Sequence, residues 1–271
     1  MTNKLRSRYG EWALITGASE GIGLACAEAL AALQFNLVLV ARRGERLEEI
    51  AAPLRQQHGI DVQVKPLDLS MLANNQLLCR EVESLDIGLV VTSAGFGTSG
   101  EFVENTWTAE MNMIELNCIS SAFLAHHFGQ RFKQQQRGGL VLLSSIVSLQ
   151  GIAYIGNYAA TKAYIQSLGE ALYAELKPYH VDVLTCAPGP VATGFAKRAG
   201  IEMSFAATSK VTAAGIVSAL ARRQRTVRPG WLAKCLSYPL EILPRSWRFP
   251  LIDTAMKLLL RHPKTPHGKS K

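Results

Sequence analysis

The sequence predicts a doubly wound α/β fold, a parallel sheet with helices on both faces, on three observations. Short apolar runs alternate with longer amphipathic segments along most of the chain, the rhythm of βαβ units. The first apolar run ends in a glycine-rich turn that opens a helical pattern. No linker, repeat or low-complexity stretch divides residues 1–230, so they read as one domain, with 231–271 as an extension. A hydrophobic content of 48% and a charged content of 18% exclude a disordered chain.

The first strand is EWALIT, residues 11–16. Gly17-Ala-Ser-Glu-Gly21-Ile-Gly23 follows, and then the helix LACAEALAAL. A strand, a glycine turn and a helix in this order suit a dinucleotide: the glycines admit a pyrophosphate, and the helix start offers oriented N–H groups. A tight turn alone would also explain the glycines. The second strand, 35–41, runs directly into Arg42-Arg43. An acid at this point binds a ribose 2′-hydroxyl, whereas an arginine accommodates a 2′-phosphate, so the sequence favours NADP(H) over NAD(H). The plainer alternative is a pair of solvated arginines at a helix start.

A helix over about 45–57 leads to the strand IDVQVKPL and then Asp68-Leu69. Asp68 could hold an adenine amino group or cap the helix beginning near Ser70. The fourth strand, 87–92, ends in Ser93-Ala94-Gly95, a backbone path beside a cofactor. A long helical region follows over about 106–135 and carries Asn117 in the apolar context IELNCIS. That asparagine calls for a partner, either as a satisfied polar core group or at a helix irregularity.

The fifth strand, 139–145, presents Ser145 at its end, and a helix over 156–177 presents Tyr158 and Lys162. Their four-residue spacing sets phenol and ammonium on one helix face. Free tyrosine titrates near pH ~10, and lowering it by about three units takes about 4 kcal/mol. One ammonium ~4 Å away supplies about that much at an effective dielectric of ~20. The expectation is a tyrosine of lowered pKa exchanging a proton with a carbonyl oxygen held by Ser145. A half-buried tyrosine beside a snorkelling lysine is the bland alternative.

The sixth strand, VDVLTCAPG, ends at Pro188-Gly189. Residues from about 190 to 211, with Thr193, Phe195, Met203 and Phe205, have weak periodicity and suit a substrate lid. The helix TAAGIVSALARR and the short strand TVRP complete the domain.

The net charge of +8 is unevenly placed. Residues 222–271 hold 12 Lys and Arg against two acids, a net of +10, while residues 1–221 hold 17 against 19, a net of −2. In the extension, Trp231, Trp247, Phe249 and the run LIDTAMKLLL alternate with basic residues. Such a stretch, 231–262, suits a pocket cap, a subunit contact or peripheral attachment to a membrane surface. Nucleic acid is not expected, because no motif accompanies the charge. The start lacks an apolar signal region, and no apolar run reaches the ~18 residues of a spanning helix. Cys26, Cys79, Cys118 and Cys186 lie in apolar periodic segments without a Cys-x-x-Cys pair, as buried thiols of a cytoplasmic protein would. The six histidines show no metal-ligand spacing.

Thr16-Gly17-x-x-x-Gly21-Ile22-Gly23, Asp68-Leu69, Asn117, Ser145, Tyr158-x-x-x-Lys162 and Pro188-Gly189 together resemble the classical short-chain dehydrogenase/reductase family over residues 11–230. The resemblance implies a Rossmann-type domain with a seven-stranded sheet and hydride transfer between NAD(P)(H) and a carbonyl or alcohol. It implies a catalytic set of Asn117, Ser145, Tyr158 and Lys162. Tyr158 would be the acid-base group, and Lys162 would lower its pKa and bind the nicotinamide ribose. Ser145 would hold the substrate oxygen, and Asn117 would anchor a relay water. It implies a cofactor shell of Gly17, Ser19, Gly21, Ile22, Gly23, Arg42, Asp68, Leu69, Ala94, Gly95, Tyr158, Lys162, Pro188, Gly189, Val191 and Thr193, and a homodimer or homotetramer. Two positions depart from the pattern: Ser93 replaces the usual asparagine after strand four, and Glu20 stands where many NADP-dependent members carry a base. The wording LVARRxERL is similar to ketone and 3-oxoacyl reductases with lipid-like substrates. A competing class is a cofactor-binding sensor or scaffold attached to membranes by its tail; retention of both Tyr158 and Lys162 argues for the enzyme.

Overall fold

The computed structural model describes residues 2–191 and 207–260. Most of the expected lid, including Thr193, Phe195, Met203 and Phe205, lies outside the described residues. Seven strands form one sheet: β1 (Trp12–Thr16), β2 (Asn36–Ala41), β3 (Val62–Pro66), β4 (Ile87–Thr92), β5 (Gly138–Leu143), β6 (Val181–Cys186) and β7 (Thr226–Val227). Their order is β3-β2-β1-β4-β5-β6-β7, and every neighbouring pair is parallel.

The unbroken apolar runs follow from burial on both faces. Side chains alternate along a strand, so each strand feeds two cores. In β1, Ala13 and Ile15 join one core with Leu39, Val91 and Val141. Trp12 and Leu14 join the other with Val38, Val90 and Leu140. The first core is covered by α2 (Gly21–Ala31) and α3 (Gly44–His58), together with α8 (Ser209–Ala221). The second is covered by α4 (Leu72–Glu81), α6 (Ser121–Gln135) and α7 (Gly156–Leu176). A fully buried Leu, Ile or Val contributes about 1.5–3 kcal/mol, so this two-sided sheet carries the fold.

Three features were not foreseen. An N-terminal helix, α1 (Thr2–Tyr9), precedes β1 and buries Tyr9 completely in the first core. The region read as one helix over 106–135 is α5 (Trp107–Ile114), a π-helical segment over Glu115–Ser120 and α6. The extension folds into α9 (Trp231–Ile242) and α10 (Arg245–Leu260). Among the described residues, no helix is long and apolar enough to cross a membrane.

Candidate active site

The strand order reverses at β1, whose neighbours β2 and β4 lead away in opposite directions. Connections leaving the carboxyl ends of β1 and β4 therefore part and open a crevice, the place where such sheets hold ligands. The glycine turn lines one side of it. Gly17 adopts φ +66, and a Cβ there would lie 2.8 Å from the Ala94 amide nitrogen. A Cβ on Gly23 would lie 2.3 Å from the Gly17 carbonyl oxygen. Only glycine permits this packing of α2 against the turn. No side chain caps the start of α2, so its first N–H groups keep the capacity to bind an anion.

Ser145 lies just past β5, where its hydroxyl accepts a hydrogen bond from the Val147 amide at 3.3 Å and starts a short 3₁₀ turn, Ile146–Leu149. Tyr158 lies in the first turn of α7, and its phenol shares a hydrogen bond with the Ser145 side chain. Lys162, one turn on, is buried and donates from Nζ to the Leu143 carbonyl at 2.8 Å. The Ser144 hydroxyl donates to the Lys162 carbonyl at 2.9 Å, tying α7 to the strand end.

Asn117 completes the group from the π-helical segment. Its Oδ1 accepts from the Phe96 amide at 3.1 Å, while its Nδ2 donates to the Phe96 carbonyl at 2.9 Å and to Thr161 Oγ1 at 3.1 Å. It is therefore both a satisfied polar core residue and the centre of a helix irregularity. A Cβ on Gly95 would come within 2.8 Å of Asn117 Oδ1 and 3.6 Å of Lys162 Nζ. Asn117, Gly95 and Lys162 thus meet, beside Ser145 and Tyr158.

The electrostatics correct one expectation. Burial raises the Tyr158 phenol above its ordinary value, and the Ser145 hydrogen bond offsets only part of this. Burial also lowers the Lys162 ammonium to about 8. The lysine nitrogen lies 5.7 Å from the centroid of the Tyr158 ring. In the protein alone the cost of burying the phenolate therefore outweighs the lowering expected from Lys162.

The remaining predicted residues divide. Arg42 is exposed at the carboxyl end of β2, while Arg43 turns back to donate to Ser19 Oγ and pair with Glu20, both at 3.2 Å. Arg43 was not among the expected site residues; its pairing sets a positive charge beside the acid that stands in the glycine loop. Asp68 uses Oδ1 to accept from the Ser70 amide and hydroxyl, so it closes a turn before α4. Leu69 buries its side chain in the second core, and its carbonyl accepts from Asn75 Nδ2 at 2.8 Å. Ala94 donates its amide to Thr16 Oγ1 at 3.0 Å. The Pro188 carbonyl accepts from the Ile146 amide at 3.1 Å, and Val191 pairs with Ala207. Gly21 and Ile22 form the first turn of α2. Gly189 packs against Ala233 of α9: a Cβ at Gly189 would lie 3.3 Å from the alanine Cβ.

Ile152 and Ile155 form a small apolar cluster with Val147, Tyr158 and Ile252. Ile252 belongs to α10, so the extension reaches the apolar cluster on which the tyrosine packs. Periodicity gave no sign of this, since it reports which face of a helix is apolar and not what that face meets. A cavity of about 230 Å³ lies beside Ser145, lined among others by Ile146, Gln166, Glu170 and the ion-paired Arg228 and Glu241.

Residues 11–204 match the family described as short chain dehydrogenase. The chain is 34% identical over 179 residues to a 7beta-hydroxysteroid dehydrogenase of Collinsella aerofaciens, covering 66% of this chain and 68% of that protein. It is 30% identical over 201 residues to a very-long-chain 3-oxoacyl-CoA reductase-like protein of Arabidopsis thaliana, covering 71% of this chain and 64% of that one. A short-chain dehydrogenase from Sphingobium yanoikuyae, solved in complex with NADPH, superposes with a TM-score of 0.77 at 30% identity, covering 87% of this chain and 97% of that one.

Proposed function

The chain belongs to the short-chain dehydrogenase family and is an oxidoreductase acting on hydroxyl or carbonyl groups with a nicotinamide cofactor, and from that premise we propose an NADPH-dependent reductase of bulky, apolar ketones. The carrying observation is the meeting of Ser145, Tyr158, Lys162 and Asn117 beside a glycine turn, under an apolar wall that includes Ile252 of α10.

The crevice fits a dinucleotide. A Cβ would fill the turn at Gly17 and Gly23, and the uncapped start of α2 suits a pyrophosphate. Exposed Arg42 suits a ribose 2′-phosphate, with Arg43 neutralising Glu20 beneath it. When bound, NADPH supplies the hydride. The protein supplies position and a proton. Ser145 holds the substrate oxygen, and Tyr158 gives it a proton. A buried phenol of raised pKa stays protonated at neutral pH, the form that a donor needs for reduction. Lys162, at about 8, remains mostly cationic at neutral pH and suits the ribose hydroxyls. The Asn117 side chain is fully occupied in donation, so a relay water there would rest on main-chain groups of the π-helical segment.

Bulky ketone substrates are favoured by the apolar cluster and by relatives named for hydroxysteroids and very-long-chain 3-oxoacyl-CoA. Ala233 against Gly189, and Ile252 against the Ile152–Ile155 cluster that also packs Tyr158, favour a pocket cap over a free membrane segment as the role of the extension. The test is NADPH consumption on 3-oxoacyl thioesters of rising length, steroid ketones and small aldehydes, with NADH in parallel. The expected result is turnover that rises with substrate size and prefers NADPH. Turnover confined to small polar carbonyls, or a preference for NADH, would contradict the proposal.

A further inference from the structure

The link between Ser145 and Tyr158 contains one buried side chain that the mechanism does not use. Gln150 is 7% exposed, yet neither Nε2 nor Oε1 has a hydrogen-bond partner. Among the described residues it is the one side chain left with two such atoms. An amide taken out of water without partners is costly, and buried polar groups are ordinarily satisfied. The rest of the link shows no such defect. Ser145 caps the turn before Gln150, and Ile152 and Ile155 after it pack with Val147 and Tyr158. Gln150 itself has extended backbone, φ −168 and ψ 172, directly after the 3₁₀ turn Ile146–Leu149. The preceding residue, Leu149, lines the cavity beside Ser145 together with Gln166, Glu170 and Arg228. Gln150 lies within the segment that starts at the oxygen-holding serine and ends at the proton-donating tyrosine.

We propose that Gln150 is a specificity residue, whose amide binds a second neutral hydrogen-bonding group of the substrate, a carbonyl or hydroxyl close to the ketone being reduced. This rests on the reductase reading and adds a chemical demand to it: the substrate is apolar in bulk but carries one further polar group near the reacting carbon. A buried neutral amide selects such a group over a carboxylate or an ammonium, because burying a charge against it costs more than burying a neutral partner. A site built to hydrogen-bond a substrate group discriminates strongly against analogues that lack it.

The test compares two ketones of equal chain length, a 3-oxoacyl N-acetylcysteamine thioester and a methyl ketone without the thioester carbonyl. Gln150→Leu keeps the bulk and removes the amide. We expect kcat/KM on the thioester to fall at least tenfold, mainly through KM, and to change less than twofold on the methyl ketone. Gln150→Asn should recover part of the loss. Without substrate, Gln150→Leu should melt at or above the wild-type temperature, since an unpartnered amide gives the fold nothing. Equal effects on both ketones, no effect on either, or a lowered melting temperature would overturn the proposal and make Gln150 a structural or water-bridged residue. Failure of the wild type to reduce any ketone would instead overturn the reductase reading on which this one rests.

Discussion

At the scale of single residues, the site is held by hydrogen bonds that leave little freedom. Asn117 spends its carbonyl on the Phe96 amide and its two donors on the Phe96 carbonyl and Thr161. Each buried bond of this kind contributes about 1 kcal/mol net, so Asn117→Ala should destabilise the protein by about 2–3 kcal/mol in urea unfolding. A loss below ~0.5 kcal/mol would mean that the loop after β4 holds its place without it. The identity of this residue was legible in the sequence, because an asparagine in an apolar helical stretch needs a partner. Its partners were not, since Phe96 and Thr161 lie 21 and 44 positions away. Arg43 is the converse case. Adjacent arginines look alike in sequence, and only the fold ties one of two exposed side chains, Arg43, back to Ser19 and Glu20.

At the scale of elements, the glycine turn and α2 behave as one part. A methyl group at Gly23 would meet the Gly17 carbonyl at 2.3 Å, a distance that requires α2 or the turn to move. Gly23→Ala should cost about 1–3 kcal/mol of stability, as overpacking does, and should weaken NADPH binding more than it weakens the fold. Isothermal titration and thermal melting of one preparation check both; unaltered affinity would detach the turn from cofactor binding. Strand and helix positions were readable to within a few residues, because continuous apolar runs and 3.6-residue periodicity report burial directly. A helix irregularity at Asn117 was among the readings the sequence offered, but the π-helical form and its span, Glu115–Ser120, were not, because periodicity does not resolve one extra residue per turn. Helix α1 escaped notice because its short polar sequence TNKLRSRY packs chiefly through Leu5 and Tyr9.

At the scale of the whole molecule, the two cores hide ionisable groups, and this predicts alkaline sensitivity. Burial raises the thiols of Cys26 and Cys79 to about 12 and Cys118 to about 11, from an ordinary 9.0, and it raises Cys186 well above that value. The Tyr9 and Tyr158 phenols are also raised. Each stays protonated in the fold while the unfolded chain ionises, so the stability it supports is complete at lower pH and lost above about pH 9–10. Lys162 acts oppositely: lowered from 10.5 to about 8, it favours the fold as pH rises between those values. One lysine against four thiols and two phenols leaves a net loss. Melting temperature should hold steady to about pH 9 and then fall steeply with pH. A flat profile to pH 11 would show that these groups titrate normally in the fold. At this scale the sequence revealed the division of charge but not its use, because composition cannot say that Ile252 of the basic extension packs on the same apolar cluster as Tyr158.

The most direct measurement is NADPH oxidation by wild type and Tyr158→Phe on a bulky 3-oxoacyl thioester, with NADPH affinity determined for both. Proton donation by a placed acid contributes about 10²–10⁴-fold, so kcat/KM should fall by that factor while NADPH binding stays within a few-fold of wild type. Turnover by Tyr158→Phe equal to wild type would contradict the assignment of Tyr158 as the proton donor, and with it the account of this site.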